Sequence, residues 1–313
     1  MPVAADSPTA LIVGAGMYFG RRRMVRLEQL WHSARLPESP PLVSVVIPAK
    51  DEGPSIRDCI ESGLAQDYPR LELIAINDRS ADDTGRVLDE LAAASGGRVQ
   101  VIHIPADGLP AGWLGKCHAL HVGTQRAAGE WFLFVDSDVR LEEPRLLSAA
   151  LSTAVSRKYD AVSLLTRLDC RGFLDRLVLP VAAGAWLNMN HVSFTNEDRF
   201  RTVAFANGQF ILARRSAYDA VGGHETVKDK ITEDVELYRS LKLAGYRPRL
   251  LIGNRYISTR MHANLRQMMR GWSRIYSGTT RRRPWRILAT LLFVAVCGFS
   301  VYAAIIGGGL ALS

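Results

Sequence analysis

The first half of the chain alternates short β-branched runs with amphipathic segments. The runs lie at residues 42–47, 71–76 and 99–104, and each is followed by a polar turn. Between them, residues 55–64 and 82–94 have the apolar spacing of helices. Strands and helices in this order predict an α/β fold, with a mixed, mostly parallel sheet and helices on both faces. In such sheets, ligands bind at the carboxyl ends of the strands.

The later part of the chain continues this pattern less regularly. We predict a helix at residues 143–158, a strand at 161–165, and a strand with a glycine turn within 204–215. Residues 173–194 are apolar with few charges, which suits either a helix lying on a bilayer or a core helix.

A further apolar run leads directly into two aspartates. Residues 130–135 read Glu-Trp-Phe-Leu-Phe-Val and precede Asp136, Ser137 and Asp138. Alternate residues of an extended chain point the same way, so both carboxylates can converge at the rim of the sheet. Close carboxylates repel unless a cation lies between them, and Mg²⁺ or Mn²⁺ held in this way completes its shell with substrate phosphates. Asp136 and Asp138 are the predicted metal ligands, although an ordinary turn would also explain them.

Both ends of the chain are expected to meet a membrane. Residues 287–313 contain no charged residue; as a helix they would be about 40 Å long, enough to span a hydrocarbon core of roughly 30 Å. The preceding arginine cluster predicts that the catalytic part faces the cytoplasm from the cell membrane. The expected organisation is an N-terminal membrane-associated segment and linker (1–41), a catalytic domain (42–255), a basic amphipathic membrane-surface segment (256–286) and a transmembrane helix (287–313).

The charge distribution indicates the binding partners, and the cysteine spacing indicates the redox compartment. The formal net charge is +8, and no acidic residue lies between Arg255 and Arg286. Beside a membrane helix, such a basic stretch indicates anionic lipid headgroups and a phosphate-bearing substrate rather than nucleic acid. The four cysteines are scattered, without a CxxC pair or zinc-binding spacing, which is typical of a reducing compartment.

Acid-bearing turns give the chain a resemblance to a known family. The turns are Pro48-Ala-Lys-Asp51-Glu52 after the first strand, Asn-Asp-Arg-Ser-Ala-Asp-Asp-Thr at residues 77–84, and the Asp-Ser-Asp described above. Together they resemble the nucleotide-sugar domain of family 2 glycosyltransferases, which have the GT-A fold. Asn77 and Arg79 replace the Asp and Gly that are frequent in the family, which leaves the identity of the nucleotide open.

The resemblance also implies which residues bind the donor and its metal. A Gly-rich segment with Trp113 precedes Lys116, whose ammonium suits a phosphate. A Gly-Lys-x-x-Ala-Leu segment of this kind commonly precedes the Asp-x-Asp (DxD) motif, here Asp136 to Asp138, in family members that use lipid acceptors. The implied donor-binding residues are Pro48, Asp51, Glu52, Asn77, Asp78, Lys116 and Asp136, with Asp138 holding the metal on the diphosphate.

The candidate base lies at the start of a later predicted helix. Thr232 is a plausible N-cap followed by Glu233 and Asp234, and helix capping alone would explain these acids. The surrounding segment, from Gly222-Gly223 to Tyr246, is similar to the family segment in which the Asp of a Glu-Asp pair is the general base. The resemblance therefore implies that Asp234, beside Glu233, is catalytic, and that the sugar is transferred with inversion.

A last motif lies in the basic segment. Gln267, Arg270 and Trp272 resemble the Gln-x-x-Arg-Trp signature of membrane-bound members, which contacts the diphosphate and the acceptor. Gly271 is an additional residue between the Arg and the Trp, and it displaces Trp272 relative to the signature.

Together these features predict an inverting, metal-dependent glycosyltransferase. It would move a hexose from a nucleotide-diphosphate sugar, with a UDP-sugar as the expected donor, to a lipid-like hydroxyl at the cytoplasmic membrane face. Within the family, the chain most resembles hopanoid-associated, carotenoid or ceramide-type lipid glycosyltransferases. Three alternatives remain open: a polysaccharide-type family 2 synthase, a non-catalytic nucleotide-binding membrane scaffold and a nucleotidyltransferase.

Overall fold

The computed structural model describes residues 25–26, 36–169 and 191–259, with single positions between 172 and 190 and between 271 and 292. Its strands are β1 (Val25–Arg26), β2 (Val43–Ala49), β3 (Leu71–Asp78), β4 (Val99–Ile104), β5 (Trp131–Val135), β6 (Val139–Leu141), β7 (Ala161–Leu165), β8 (Arg167–Leu168), β9 (Phe210–Arg214), β10 (Pro248–Ile252) and β11 (Ile257–Thr259). Its helices are α1 (Gly53–Leu64), α2 (Thr84–Ala94), α3 (Gly115–Arg126), α4 (Leu146–Ser156), α5 (Arg215–Ala220) and α6 (Glu233–Leu243).

Eight of these strands form one sheet in the order β1-β10-β7-β9-β5-β2-β3-β4. All neighbours in it are parallel except β9, which runs antiparallel to both β5 and β7. A small second sheet has the order β6-β11-β8. The predicted α/β fold with a mixed, mostly parallel sheet is confirmed.

Helices cover both faces of the large sheet, because its central strands are apolar on both sides. Along β2, Val43, Val45 and Ile47 pack with α1, α2 and α4 in one core. Val46 points the other way and packs with α3, α5 and α6 in a second core. Runs buried on both faces are typical of parallel strands enclosed by crossover helices. The two cores therefore fix the positions of the strand ends, where the acid-bearing turns lie.

Local contacts explain where two elements differ from the sequence prediction. Helix α4 begins after Pro144, whose carbonyl accepts a bond from the backbone N–H of Asp67 at 2.7 Å, and it ends before Lys158, which has a left-handed φ of 54°. Strand β9 occupies only the later part of the predicted stretch, because the backbone N–H of Asn207 donates to the Ser163 hydroxyl at 2.8 Å. Side-chain bonds of this kind compete with a strand ladder.

The domain also continues beyond the predicted boundary at residue 255. Strand β11 pairs antiparallel with β6 and parallel with β8, so Ile257–Thr259 is part of the folded domain. Among the described residues, the structure contains no helix of the length and apolar character that a membrane crossing requires. The predicted span at 287–313 lies outside the described part of the chain, apart from Leu288 and Leu292.

Candidate active site

Lys116 connects the acids that follow β5 with those that begin α6. Its Nζ lies 2.7 Å from Oδ1 of Asp136 and 2.9 Å from Oε1 of Glu233. Burial favours the neutral amine, but the charges of Asp136, Glu233 and Asp234 outweigh it and raise the pKa of Lys116 well above its ordinary value. The lysine is therefore permanently protonated, and its side chain remains 38% exposed to an incoming ligand.

Two backbone N–H groups orient Asp234, the candidate base. Gly208 donates to its Oδ2 at 2.9 Å, and Val235 donates to its Oδ1 at 2.8 Å. A β-carbon on Gly208 would lie 3.2 Å from both Asp234 Oδ2 and Lys116 Nζ, so a larger residue there would push on both side chains. Burial and the charge of Glu233 raise the pKa of Asp234 to about 7. A carboxylate with this pKa can accept a proton near neutral pH.

Asp138 is held by a residue that is distant in the sequence. Burial, and then the charges of Asp136 and Glu52, raise the pKa of Asp138 to about 7 against the opposing effects of Lys116 and of a hydrogen bond from Thr259. The amide of Gln209 donates in turn to the Thr259 hydroxyl at 3.2 Å. Strand β11 thus contributes directly to the position of the second DxD carboxylate.

This arrangement fits a divalent cation that completes its shell with substrate. Burial is the first cause of the raised pKa of Asp138, and the neighbouring charges of Asp136 and Glu52 add to it. A cation between Asp136 and Asp138 would offset this repulsion. Within the described residues, no group of three or more His, Cys, Asp or Glu side chains is placed to hold a metal ion. Mg²⁺ and Mn²⁺ are commonly bound by one or two carboxylates, with phosphates and water as the other ligands.

The acids after β2 organise the turn that follows β3. Asp51 accepts a hydrogen bond from the backbone N–H of Ala81 at 2.7 Å, and its own N–H donates to the Ser80 hydroxyl at 3.0 Å. The backbone N–H of Glu52 donates to Thr84 Oγ1 at 2.8 Å. Burial raises the pKa of Glu52; a hydrogen bond from Ser55 opposes this shift, and Asp136, Asp82 and Asp51 add to it. Pro48 lies buried near the end of β2, beyond the last residue that pairs with β5.

The two polar residues that end β3 point to different partners. Asn77 donates from Nδ2 to Nδ1 of His103 at 3.0 Å, and its Oδ1 accepts from the backbone of Ser80 at 3.3 Å. Asp78 instead forms a two-pronged ion pair with Arg79, with distances of 2.7 and 3.0 Å, and its side chain is only 4% exposed. Both predicted donor-binding residues are thus already hydrogen-bonded within the protein.

The predicted motif in the basic segment is described only at Trp272. This residue is buried against Leu179, Trp186 and Tyr276, and its indole Nε1 is buried without a hydrogen-bond partner in the described structure. Gln267 and Arg270 lie outside the described residues.

Three residues of the site carry no sequence signal of their own. Gly208 binds the candidate base, while Thr259 and Gln209 support the DxD carboxylate. The sequence predicted a glycine turn before β9, but the partner of Gly208 could not be identified without the fold. Thr259 lies in a three-residue strand whose role follows only from its pairing with β6 and β8.

Comparisons with known proteins identify the family of the chain. A family model described as "Glycosyltransferase like family 2" matches residues 40–272. The 4,4'-diaponeurosporenoate glycosyltransferase of Staphylococcus haemolyticus is 24% identical over 305 residues, covering 94% of this chain and 75% of that protein. The poly-beta-1,6-N-acetyl-D-glucosamine synthase of Staphylococcus epidermidis is 23% identical over 204 residues, covering 65% of this chain and 46% of the synthase.

Two solved structures share the fold. The mannosyltransferase PcManGT from Pyrobaculum calidifontis, in complex with GDP-Man and Mn²⁺, aligns with a TM-score of 0.59 and 19% identity over 97% of this chain and 84% of that one. S. aureus TarS 1-349 in complex with UDP-GlcNAc aligns with a TM-score of 0.50 and 16% identity, over 72% of this chain and 60% of that one. These likenesses show a GT-A-like fold.

The family match and the GT-A-like fold thus define a glycosyltransferase. The match over residues 40–272 shows that the chain belongs to the glycosyltransferase-like family 2.

Proposed function

We propose that the protein is an inverting, metal-dependent hexosyltransferase that uses a nucleoside diphosphate sugar, with UDP-hexoses as the first donors to test. The acceptor is a hydroxyl of a lipid-like molecule at the cytoplasmic face of the cell membrane. The observation that carries the proposal is the double ion pair of Lys116, which places the DxD acid Asp136 and the Glu233-Asp234 pair around one ammonium. The residues that would bind a diphosphate and the base that would take the acceptor's proton therefore lie in one site.

The donor end of the site is built for a diphosphate. Lys116 supplies a positive charge that is 38% exposed, and it can turn from Asp136 towards phosphate oxygens. Asp136 and Asp138 would hold Mg²⁺ or Mn²⁺, which stabilises the negative charge on the departing diphosphate by several kcal/mol. Both effects act on the leaving group.

The acceptor end requires a base on the opposite side of the sugar. An acceptor hydroxyl is a poor nucleophile, and a positioned base contributes about 10²–10⁴-fold to its reaction. Asp234 takes the hydroxyl proton while the oxygen forms a bond to the anomeric carbon, and the bond from that carbon to the diphosphate breaks. A nucleoside diphosphate leaves, and attack opposite to it inverts the configuration.

A lipid acceptor is supported by a relative and by the sequence. The S. haemolyticus protein is named for transfer to diaponeurosporenoate, a carotenoid, and it aligns over most of this chain. The apolar run at 287–313 and the arginines before it suit an enzyme that works at a membrane surface. The S. epidermidis synthase is matched over less than half of its length, so polymer synthesis has weaker support.

The test is transfer of labelled sugar into lipid. Membranes that contain the protein are incubated with a panel of labelled nucleotide sugars, Mn²⁺ and a total lipid extract, and label is followed into the organic phase. The proposal expects one sugar to enter lipid, dependent on Asp234, and the mass of the product identifies the acceptor. Release of labelled free sugar alone, or label in a water-soluble polymer, would contradict the lipid acceptor.

A further inference from the structure

The turn after β3 holds an arginine in a conformation that normally favours glycine. Arg79 has a φ of 57°, which costs an L-amino acid roughly 1–2 kcal/mol relative to the right-handed region. The ammonium of Lys50 holds the turn by bonding the carbonyl oxygens of Asp78 at 3.4 Å and Arg79 at 3.1 Å. Strained residues cluster at binding sites, where the surrounding structure maintains the strain.

The strain lets Arg79 cover the carboxylate of Asp78. Its Nε donates to Oδ1 at 2.7 Å and its Nη2 to Oδ2 at 3.0 Å, so the acceptor atoms of Asp78 are occupied and almost inaccessible. The pair also requires Gly115 at the start of α3, since a β-carbon there would lie 2.5 Å from Asp78 Oδ2 and 2.6 Å from Arg79 Nη2. The small residue at the start of α3 thus leaves room for this ion pair.

The pair leaves N–H donors rather than carboxylate acceptors at this end of the site. A guanidinium carries five N–H groups, and two of them are used by Asp78. The Arg79 side chain remains 17% exposed, whereas that of Asp78 is 4% exposed. A ligand that reaches the end of β3 therefore meets hydrogen-bond donors.

The order of the strands indicates which part of a nucleotide reaches Arg79. The sheet order β5-β2-β3 places the DxD carboxylates after β5 and Arg79 after β3, two strands away. With strands about 4.8 Å apart, this separation is about 10 Å. The candidate base Asp234 bonds to Gly208, just before β9 on the other side of β5, so the acceptor end of the site lies on that side. A nucleoside diphosphate whose phosphates lie at the DxD motif would therefore extend its base away from the acceptor end, towards β3.

We propose that Arg79 reads the base of the donor by donating to a carbonyl oxygen on the base edge. The ligand class is a nucleotide with a keto base: uracil offers a carbonyl at this edge, as does guanine. The carbonyl in question is at position 4 of uracil and position 6 of guanine; cytosine and adenine have an amino group at these positions, which would face the guanidinium donors without forming a bond. This inference rests on the proposed function, because it assumes that the site binds a nucleoside diphosphate.

The test compares two nucleotides that differ in their base with a diphosphate that has no base. Dissociation constants for UDP, CDP and inorganic pyrophosphate are measured calorimetrically with Mn²⁺, for the wild type and Arg79→Gly. Glycine adopts the φ of this turn without strain, so the variant is expected to fold. The wild type should bind UDP at least about tenfold more tightly than CDP, and Arg79→Gly should lose most of this ratio while binding pyrophosphate as before.

The contrary outcomes are distinct. An unchanged or larger UDP-to-CDP ratio in Arg79→Gly would show that Asp78, once uncovered, reads the base, and would overturn the proposal. An equal loss of UDP and pyrophosphate binding would place Arg79 at the phosphates, which also overturns it. Wild-type protein that binds neither UDP nor pyrophosphate would contradict the proposed function itself.

Discussion

The Nζ of Lys116 lies 2.9 Å from Oε1 of Glu233, and this ion pair joins the first turn of α3 to the first turn of α6. The same ammonium also contacts Asp136, so one charge is shared between the acids after β5 and those beside the candidate base. A bound diphosphate would compete with these carboxylates for Lys116. Donor binding and the charge state of the base are therefore expected to be connected through this lysine.

Replacement of Lys116 by methionine tests this connection. The variant keeps the length of the side chain but removes the positive charge that a diphosphate needs, so we expect nucleotide affinity to fall at least about tenfold. Calorimetric titration with UDP and Mn²⁺ measures it. The matched control is Lys230→Met, which removes a surface lysine paired with exposed Asp229. Equal affinities of Lys116→Met and the control would contradict a role of Lys116 at the phosphates.

Asp138→Asn should uncouple nucleotide binding from metal. The neutral amide cannot balance a divalent cation as a carboxylate does, so the gain in UDP affinity on adding Mn²⁺, expected to be about tenfold or more for the wild type, should disappear. Titrations with and without Mn²⁺ measure the gain. Asp58→Asn changes an exposed carboxylate on α1 and serves as the control. A variant that retains the full metal effect would remove Asp138 from the metal site.

His224 predicts that the fold loses stability in mild acid. The imidazole is buried, and its Nδ1 shares a hydrogen bond of 2.7 Å with the Tyr218 hydroxyl. Burial, and then the charges of Lys116 and His121, lower the pKa of His224 to about 3. The folded protein thus keeps this histidine neutral, while the unfolded chain binds a proton below about pH 6.5. Its contribution to stability is present above pH 6.5 and is lost as the pH falls from there towards 3.

Denaturant unfolding at pH 7 and pH 5 measures this loss. With a slope of about 1.4 kcal/mol per pH unit, His224 should account for about 2 kcal/mol of the decrease in unfolding free energy between the two conditions. The variant His224→Gln lacks the titrating group, so its decrease should be smaller by about that amount. Equal decreases in the two proteins would show that His224 is not held neutral in the folded state.

The strands and acid-bearing turns could be predicted because their signals are local. The strand at Ala161–Leu165 was predicted with its observed bounds, and Asp136 and Asp138 follow β5 as expected from their apolar run. The partners of these acids could not be predicted in the same way. Thr259 reaches Asp138 only because β11 pairs with β6 immediately after the DxD motif. Such contacts depend on register between distant segments, which periodicity does not encode.

Arg79 shows a second limit of sequence reasoning. Its departure from the glycine frequent in the family left the nucleotide open, but the sequence does not show that the arginine would cover Asp78. That geometry depends on the left-handed backbone and on the space left by Gly115. Likewise, Thr232 precedes α6 as expected, yet its hydroxyl makes no capping bond, and Asp234 instead bonds to the backbone of Val235 and Gly208.

The most direct test of the proposed mechanism is the separation of turnover from donor binding in Asp234→Asn, with Glu236→Gln on the same helix as its control. The amide cannot take the acceptor proton, so turnover should fall about 10²–10⁴-fold. UDP affinity with Mn²⁺ should not fall, because Lys116, Asp136 and Asp138 remain and a neutral side chain at position 234 competes less with the diphosphate for Lys116. Glu236→Gln should retain turnover. Wild-type turnover in Asp234→Asn would contradict the assignment of Asp234 as the base.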